Sequence, residues 1–93
     1  MRTPLTADQL AEALATLPGW SGDLRRLERT VLLPPDRAAA LRARVAAAAD
    51  ELDHHPVVED VPGGLRFVVW THVRDAVTEL DVALARRIDA LLQ

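Results

Sequence analysis

The sequence predicts an α+β domain in which a four-stranded antiparallel sheet carries three helices on one face, in the order α-β-β-α-β-β-α. Three segments have apolar residues at helical spacing behind a start signal, and the segments between them favour strands. The connections between neighbouring strands are too short for parallel crossovers, which indicates antiparallel pairing. A chain of 93 residues is expected to form a single domain, residues 1–93.

The first and last helices are predicted from their capping residues. Thr6 and Gln9 have the spacing of a capping box, and Pro18-Gly19 should stop the helix that follows. Thr78 is expected to cap the last helix in the same way. The apolar stripe of that helix consists of Leu80, Leu84, Ile88 and Leu91.

The second helix is predicted to begin at Pro34-Pro35-Asp36. Proline is favourable in the first turn of a helix, because the N–H that it lacks would be unpaired there. The alanine-rich stretch at 46–49 favours helix and allows close approach of another backbone. The side expected to face the core contains Leu41, Val45, Ala48 and Leu52.

The strands are predicted from alternation and turn residues. Trp20 opens a short segment, Ser21-Gly22-Asp23 has the composition of a turn, and residues 24–33 should form a half-buried strand. Residues 57–61 and 65–71 are expected to form a hairpin around Pro62-Gly63-Gly64, since proline then glycine suits a type II turn. The face expected under the helices is Leu65, Phe67 and Val69.

Composition excludes several classes of function. The formal net charge of -3 and the scattered arginines argue against a nucleic-acid partner. The absence of cysteine excludes disulfides and thiolate metal sites. The sequence has neither a secretory leader nor an apolar run long enough to span a bilayer, so we expect a cytoplasmic protein with no membrane partner.

All three histidines lie between positions 54 and 72. Histidine is the side chain whose unperturbed pKa lies nearest neutrality, so such a group is a candidate for proton transfer. His54 is expected at the end of the second helix, sharing a face with Asp50 four residues earlier. His55 precedes Pro56, which favours an extended backbone and turns its ring elsewhere.

The third histidine is expected at the end of a strand. His72 should lie on the same face of the sheet as Trp70, two residues earlier, and Asp81 should fall in the first turn of the last helix. A histidine at a helix end and an aspartate in a first turn are also common as simple helix-end residues. Asp50, His54 and His72 could in principle bind zinc, but adjacent histidines before a proline are not the usual ligand spacing.

The combined pattern is more specific than any one histidine. Asp50, His54-His55-Pro56, Thr71-His72 and Asp81 occur at the spacings of the pterin-4a-carbinolamine dehydratase signature, and the chain resembles that family over nearly its whole length. The similarity extends to the early Leu17-Pro18-Gly19-Trp20 and to the closing segment 81–89.

The resemblance implies a hydro-lyase that removes water from 4a-hydroxy-tetrahydropterin and returns quinonoid dihydropterin for recycling. By this resemblance His54 and His72 would transfer protons and His55 would bind and orient the pterin. Substrate-binding or orienting roles would fall to Asp50, Pro56, Trp70 and Asp81. No metal or organic cofactor is implied, because the pterin is the substrate, and relatives assemble as homodimers or homotetramers.

The sequence also departs from the family pattern. Pro62 stands where members usually have an aromatic residue, Val57 and Val58 replace other aromatic residues, and the loop after His72 lacks the usual glycine. The resemblance leaves a second function open, since some members act as dimerisation cofactors or assembly factors. Retention of all three histidines favours the enzyme over that non-catalytic interaction module.

Overall fold

The computed structural model of the protein describes residues 3–92, and the predicted element order is confirmed. Helices alternate with pairs of strands as expected, and a short 3-10 helix precedes the last α-helix. The elements are α1 (Ala7–Ala15), β1 (Ser21–Gly22), β2 (Leu27–Leu32), α2 (Pro35–Leu52), β3 (Val57–Val61), β4 (Gly64–Val69), η1 (His72–Arg74) and α3 (Glu79–Leu91).

The four strands form one antiparallel sheet in the order β1-β2-β4-β3. β2 and β4 are therefore the two inner strands, and their register pairs Val31 with Leu65. The predicted inner face is confirmed, since Leu65, Phe67 and Val69 are each at most 1% exposed and belong to the main core. Helix residues that complete this core include Leu41, Val45, Leu84 and Ile88.

The predicted helix starts are also confirmed. The Thr6 hydroxyl accepts from the Gln9 backbone at 3.2 Å while the Gln9 side chain accepts from the Thr6 backbone at 2.9 Å. α2 has Pro35 as its first residue.

No helix in the described part of the chain is long and apolar enough to cross a membrane.

The first turn of the sheet lies later in the chain than predicted. Ser21–Gly22 is not a turn but the short edge strand β1, paired with β2, and β2 begins at Leu27. The turn is instead stabilised by Asp23, whose Oδ1 accepts from the backbone N–H of Arg25 at 2.8 Å and of Arg26 at 3.1 Å. These backbone donors lower the pKa of Asp23.

The hairpin turn is confirmed, but its second strand is shorter than predicted. Gly63 has a φ of +80°, as the third position of a type II turn requires. β4 ends at Val69 rather than at residue 71, and Thr71 forms an isolated bridge with Ala76. His72 consequently lies in η1 and not at the end of the strand.

Candidate active site

The end of α2 determines where His54 lies. Asp53 adopts the left-handed conformation, with φ 50° and ψ 42°. The N–H of His54 donates to the carbonyl of Ala49 at 3.0 Å, and the N–H of Asp53 donates to that of Asp50 at 3.2 Å. These two bonds form a Schellman motif, with aspartate at the position where glycine is usual. The chain therefore leaves the helix before His54.

His54 is held by a buried carboxylate on α3. Its Nε2 lies 2.5 Å from Oδ1 of Asp81, and its side chain is 10% exposed while that of Asp81 is fully buried. An ionised carboxylate only accepts hydrogen bonds, so this contact assigns a proton to Nε2 and leaves Nδ1 available to exchange one. The pair has the geometry of a histidine oriented for proton transfer.

The second oxygen of Asp81 belongs to a buried polar network. Oδ2 accepts from the backbone N–H of Thr78 at 2.8 Å and from the hydroxyl of Thr71 at 2.9 Å. The hydroxyl oxygens of Thr71 and Thr78 are 2.7 Å apart. Asp81 is the third residue of α3 and closes its capping box, so one carboxylate both caps the helix and orients His54.

His55 has a different partner and a more open environment. Its Nε2 lies 2.8 Å from Oδ1 of Asp50, and the two side chains are 59% and 77% exposed. Asp50 was predicted to share a helix face with His54, and that prediction is wrong. Because α2 ends at Leu52, His54 turns toward α3 and the next histidine reaches Asp50 instead.

His72 is oriented by an aromatic contact. Its ring stacks on that of Trp70, with centroids 4.3 Å apart and planes inclined by 22°. The prediction that His72 ends a strand on the sheet face of Trp70 is wrong, because His72 lies in η1, but the two rings are in contact. Within residues 3–92, the imidazole of His72 forms no side-chain hydrogen bond.

The three histidines line one open pocket. Its volume is about 400 Å³, within the range of small-molecule sites. Asp50 and Asp81 contact two of its histidines, whereas Pro56 leads from His55 into β3 and has no polar role. The pocket is lined by Asp53, His54, His55, Thr71, His72 and Val73.

Two further observations describe the surroundings of the pocket. Among the described side chains, no group of three histidine, aspartate or glutamate residues is placed to hold a metal ion. The structure does not group Asp50, His54 and His72 as a ligand set, since Asp50 contacts His55 and His54 contacts Asp81. A larger cavity of about 580 Å³ lies between α1 and α3, but no histidine lines it.

Sequence reasoning gave Asp81 an orienting role, but it did not predict the contact between Asp81 and His54 or the left-handed cap at Asp53. The left-handed cap at Asp53 has no clear sequence signal, because glycine or asparagine is the usual residue there. The buried role of Asp81 had such a signal: Thr78 and Asp81 have capping-box spacing, which predicts that the carboxylate turns back toward the backbone. Thr71 lies beside this capping box, and its hydroxyl donates to the same carboxylate.

Comparison with known proteins identifies the family. The family model described as pterin 4 alpha carbinolamine dehydratase matches residues 3–91. The chain belongs to the pterin-4-alpha-carbinolamine dehydratase family. The predicted resemblance is thereby confirmed. His54, His55 and His72, on which that resemblance was based, line the pocket.

Relatives of this dehydratase family match over almost the whole chain. A protein of Streptomyces coelicolor, provisionally named a pterin-4-alpha-carbinolamine dehydratase, is 44% identical over 90 residues, covering 95% of this chain and 89% of its own length. A protein of Rhizorhabdus wittichii with the same name is 37% identical, and the match covers 97% of this chain and 96% of that protein. A crystal structure of a transcriptional coactivator/pterin dehydratase from Brucella melitensis superposes with a TM-score of 0.91 and 30% sequence identity. The match covers 98% of this chain and 100% of the Brucella chain.

Proposed function

We propose that this protein dehydrates a 4a-hydroxy-tetrahydropterin to the quinonoid dihydropterin by histidine general acid and base catalysis. The observation that supports the proposal most is the pocket in which His54, His55 and His72 meet. Family membership supports the substrate class. Dehydration of a carbinolamine needs one group to give a proton and one to take a proton, and histidine does both near neutral pH.

The reaction balances with proton transfers alone. A general acid protonates the 4a-hydroxyl oxygen, the C–O bond breaks and water leaves. A general base removes the proton from a ring N–H, whose electron pair forms the C=N bond of the quinonoid product. No electrons enter or leave the system, so in this proposal neither a metal nor an organic cofactor is needed.

The surroundings of the histidines support different roles. His54 is nearly buried and fixed by Asp81, which suits a proton-transfer group that must keep one orientation. His72 has no carboxylate partner for its ring in residues 3–92 and lies on a different element, η1, so it takes the complementary proton transfer. His55 and Asp50 are exposed, which suits binding and orienting the ring.

The direct test is the decay of the carbinolamine. Purified protein should accelerate loss of 4a-hydroxy-tetrahydropterin, followed by absorbance of the quinonoid product. His54→Ala and His72→Ala should each lower kcat by about a hundredfold, the usual contribution of one general acid or base. His55→Ala should act mainly on KM. Wild-type protein that is no faster than buffer would exclude the proposal.

A second candidate is a protein-interaction module without catalysis. It is favoured by the similar Brucella protein, whose name joins a transcriptional coactivator to the dehydratase. An interaction module does not need the pocket histidines, so its partner binding should survive simultaneous replacement of His54, His55 and His72. Dehydration should be lost in the same variant.

We also propose that the chain self-associates as a homodimer or homotetramer. A domain of 93 residues has a limited core of its own. β3 lies at one edge of the sheet, and Leu32 and Val73 are more than 70% exposed. Sedimentation at micromolar concentration should give a mass of two or four chains. A monomer there would contradict the proposal.

A further inference from the structure

One pocket histidine is held without a carboxylate. His54 and His55 each contact an aspartate, whereas the described contact of the His72 ring is its stacking on Trp70. An imidazole on a short 3-10 helix needs some restraint to stay aimed at a substrate, because effective proton transfer depends on orientation. The position of the His72 ring therefore depends on what holds Trp70.

The indole of Trp70 is covered by an arginine that comes directly before β2. Cζ of Arg26 lies 4.2 Å from the centroid of the Trp70 ring. A guanidinium over an indole is attracted by the negative face of the ring, and tryptophan is the aromatic residue that binds a cation best. Arg26 thus restrains the platform on which His72 rests.

The same arginine also reaches the loop that carries His72. Nη2 of Arg26 lies 2.9 Å from Oδ1 of Asp75, and Arg25 pairs with the other oxygen of that carboxylate. The hydrogen bond from Arg26 and the charges of both arginines lower the pKa of Asp75. The backbone N–H of Asp75 in turn donates to the carbonyl of His72 at 3.1 Å.

Asp75 occupies a conformation that residues other than glycine rarely adopt. Its φ is 47° and its ψ 43°, in the left-handed region. Aspartate tolerates this region better than most residues, but the conformation still requires support from its surroundings. The two ion pairs supply that support, and the N–H of Val77 adds a 2.8 Å bond to the carbonyl of Leu24.

These contacts connect Arg26 to His72 by two routes, one through Trp70 and one through Asp75. We propose that Arg26 is a positioning residue for His72, acting through the Trp70 ring and through the Asp75 carboxylate. The structural part of this inference stands on the contacts alone, whereas its effect on turnover rests on the proposed dehydratase function. Arg26 itself is not among the residues that line the histidine pocket.

The test replaces Arg26 and watches the His72 ring. In wild-type protein the stacked indole should shift the His72 ring protons upfield in NMR spectra, with the resonances assigned by their loss in His72→Ala. Arg26→Gln should move them most of the way to the position of an unstacked histidine. It should also lower kcat about tenfold through loss of orientation, and Arg26→Lys should restore part of both effects.

Arg42→Gln is the matched control. Arg42 forms an exposed ion pair with Asp60, 2.8 Å long, and does not line the histidine pocket. The control should leave the His72 resonances and kcat at wild-type values. His72 resonances that stay unchanged in Arg26→Gln would overturn the proposal, whatever the activity.

A double variant separates positioning from general destabilisation. If Arg26 acts partly through Trp70, then Arg26→Gln should lower kcat less in the Trp70→Leu background than in wild type, and the remaining loss should come from the Asp75 contact. Fully additive losses would overturn the proposal. A wild-type protein with the stacked His72 resonances but no dehydratase activity would refute the proposed function and leave the positioning of His72 intact.

Discussion

Asp81→Asn is expected to lower the dehydration rate by between about a hundredfold and ten-thousandfold, the range over which an oriented histidine and its carboxylate contribute. Asparagine keeps the volume of the side chain and can still accept from Thr71 and the Thr78 backbone. Its amide nitrogen would then face Nε2 of His54 and donate to it. The proton of His54 would move to Nδ1, which removes the free nitrogen that the pocket needs.

Asp50→Asn is the matched control for this change. It alters the partner of His55 in the same way, but both of those side chains are more than half exposed and water can replace the contact. A loss of less than about tenfold is expected there. Stopped-flow rates, with circular dichroism to check folding, measure both variants. Asp81→Asn with the wild-type rate would refute the orienting role of the buried carboxylate.

Asp89→Ala is expected to cost about 2–3 kcal/mol of folding free energy, because two donors lose their shared acceptor. Oδ1 of Asp89 accepts from Nε1 of Trp20 at 2.8 Å and from Nη1 of Arg29 at 2.8 Å. Trp20 is 6% exposed, and the side chains of Arg29 and Asp89 are only 26% and 21% exposed. Water cannot fully replace the lost bonds at that depth.

Two further variants make this stability test specific. Asp89→Asn keeps an oxygen for the indole but loses the charge, and about 1 kcal/mol is expected. Asp60→Ala breaks the exposed pair with Arg42, where the Asp60 side chain is 88% exposed, and less than about 1 kcal/mol is expected. Urea unfolding measures all three. Equal losses for Asp89→Ala and Asp60→Ala would contradict the interpretation.

The same network bears on the glycine that precedes Trp20. Gly19 has a φ of +91°, and a Cβ there would lie 2.9 Å from Cζ of Arg29. A glycine before Trp20 therefore lets the arginine pass along the backbone to Asp89. The hydrogen bond from Trp20 to Asp89 joins residues that are 69 positions apart, so no local sequence pattern could have predicted it.

Local signals predicted most of the elements. The Thr6 and Thr78 caps, Pro35 at the start of α2 and the Pro62-Gly63 turn depend on neighbours within four residues, and the structure has each of them. Strand β1 was missed because two residues carry no periodicity and become a strand only by pairing with β2.

The pairing inside the site could be predicted only in part. The three histidines share a pocket, as their grouping between positions 54 and 72 of the sequence suggested. Which aspartate holds which histidine depends on the residue at which α2 ends, and the left-handed Asp53 moves that end ahead of His54. Element boundaries are the least reliable part of a prediction from sequence. Here α2 ends two residues before His54, and this difference decides which aspartate contacts which histidine.

The two tryptophans have a practical consequence for work in solution. The chain has no tyrosine, so fluorescence excited in the indole absorption band comes from Trp20 and Trp70. Trp20 is buried in the core, whereas Trp70 is half-buried and stacked on a pocket histidine. Trp70→Phe therefore leaves a fluorophore that reports unfolding. Trp20→Phe is expected to leave one that responds when a ligand contacts His72. Folding and ligand binding can thus be followed by separate optical signals.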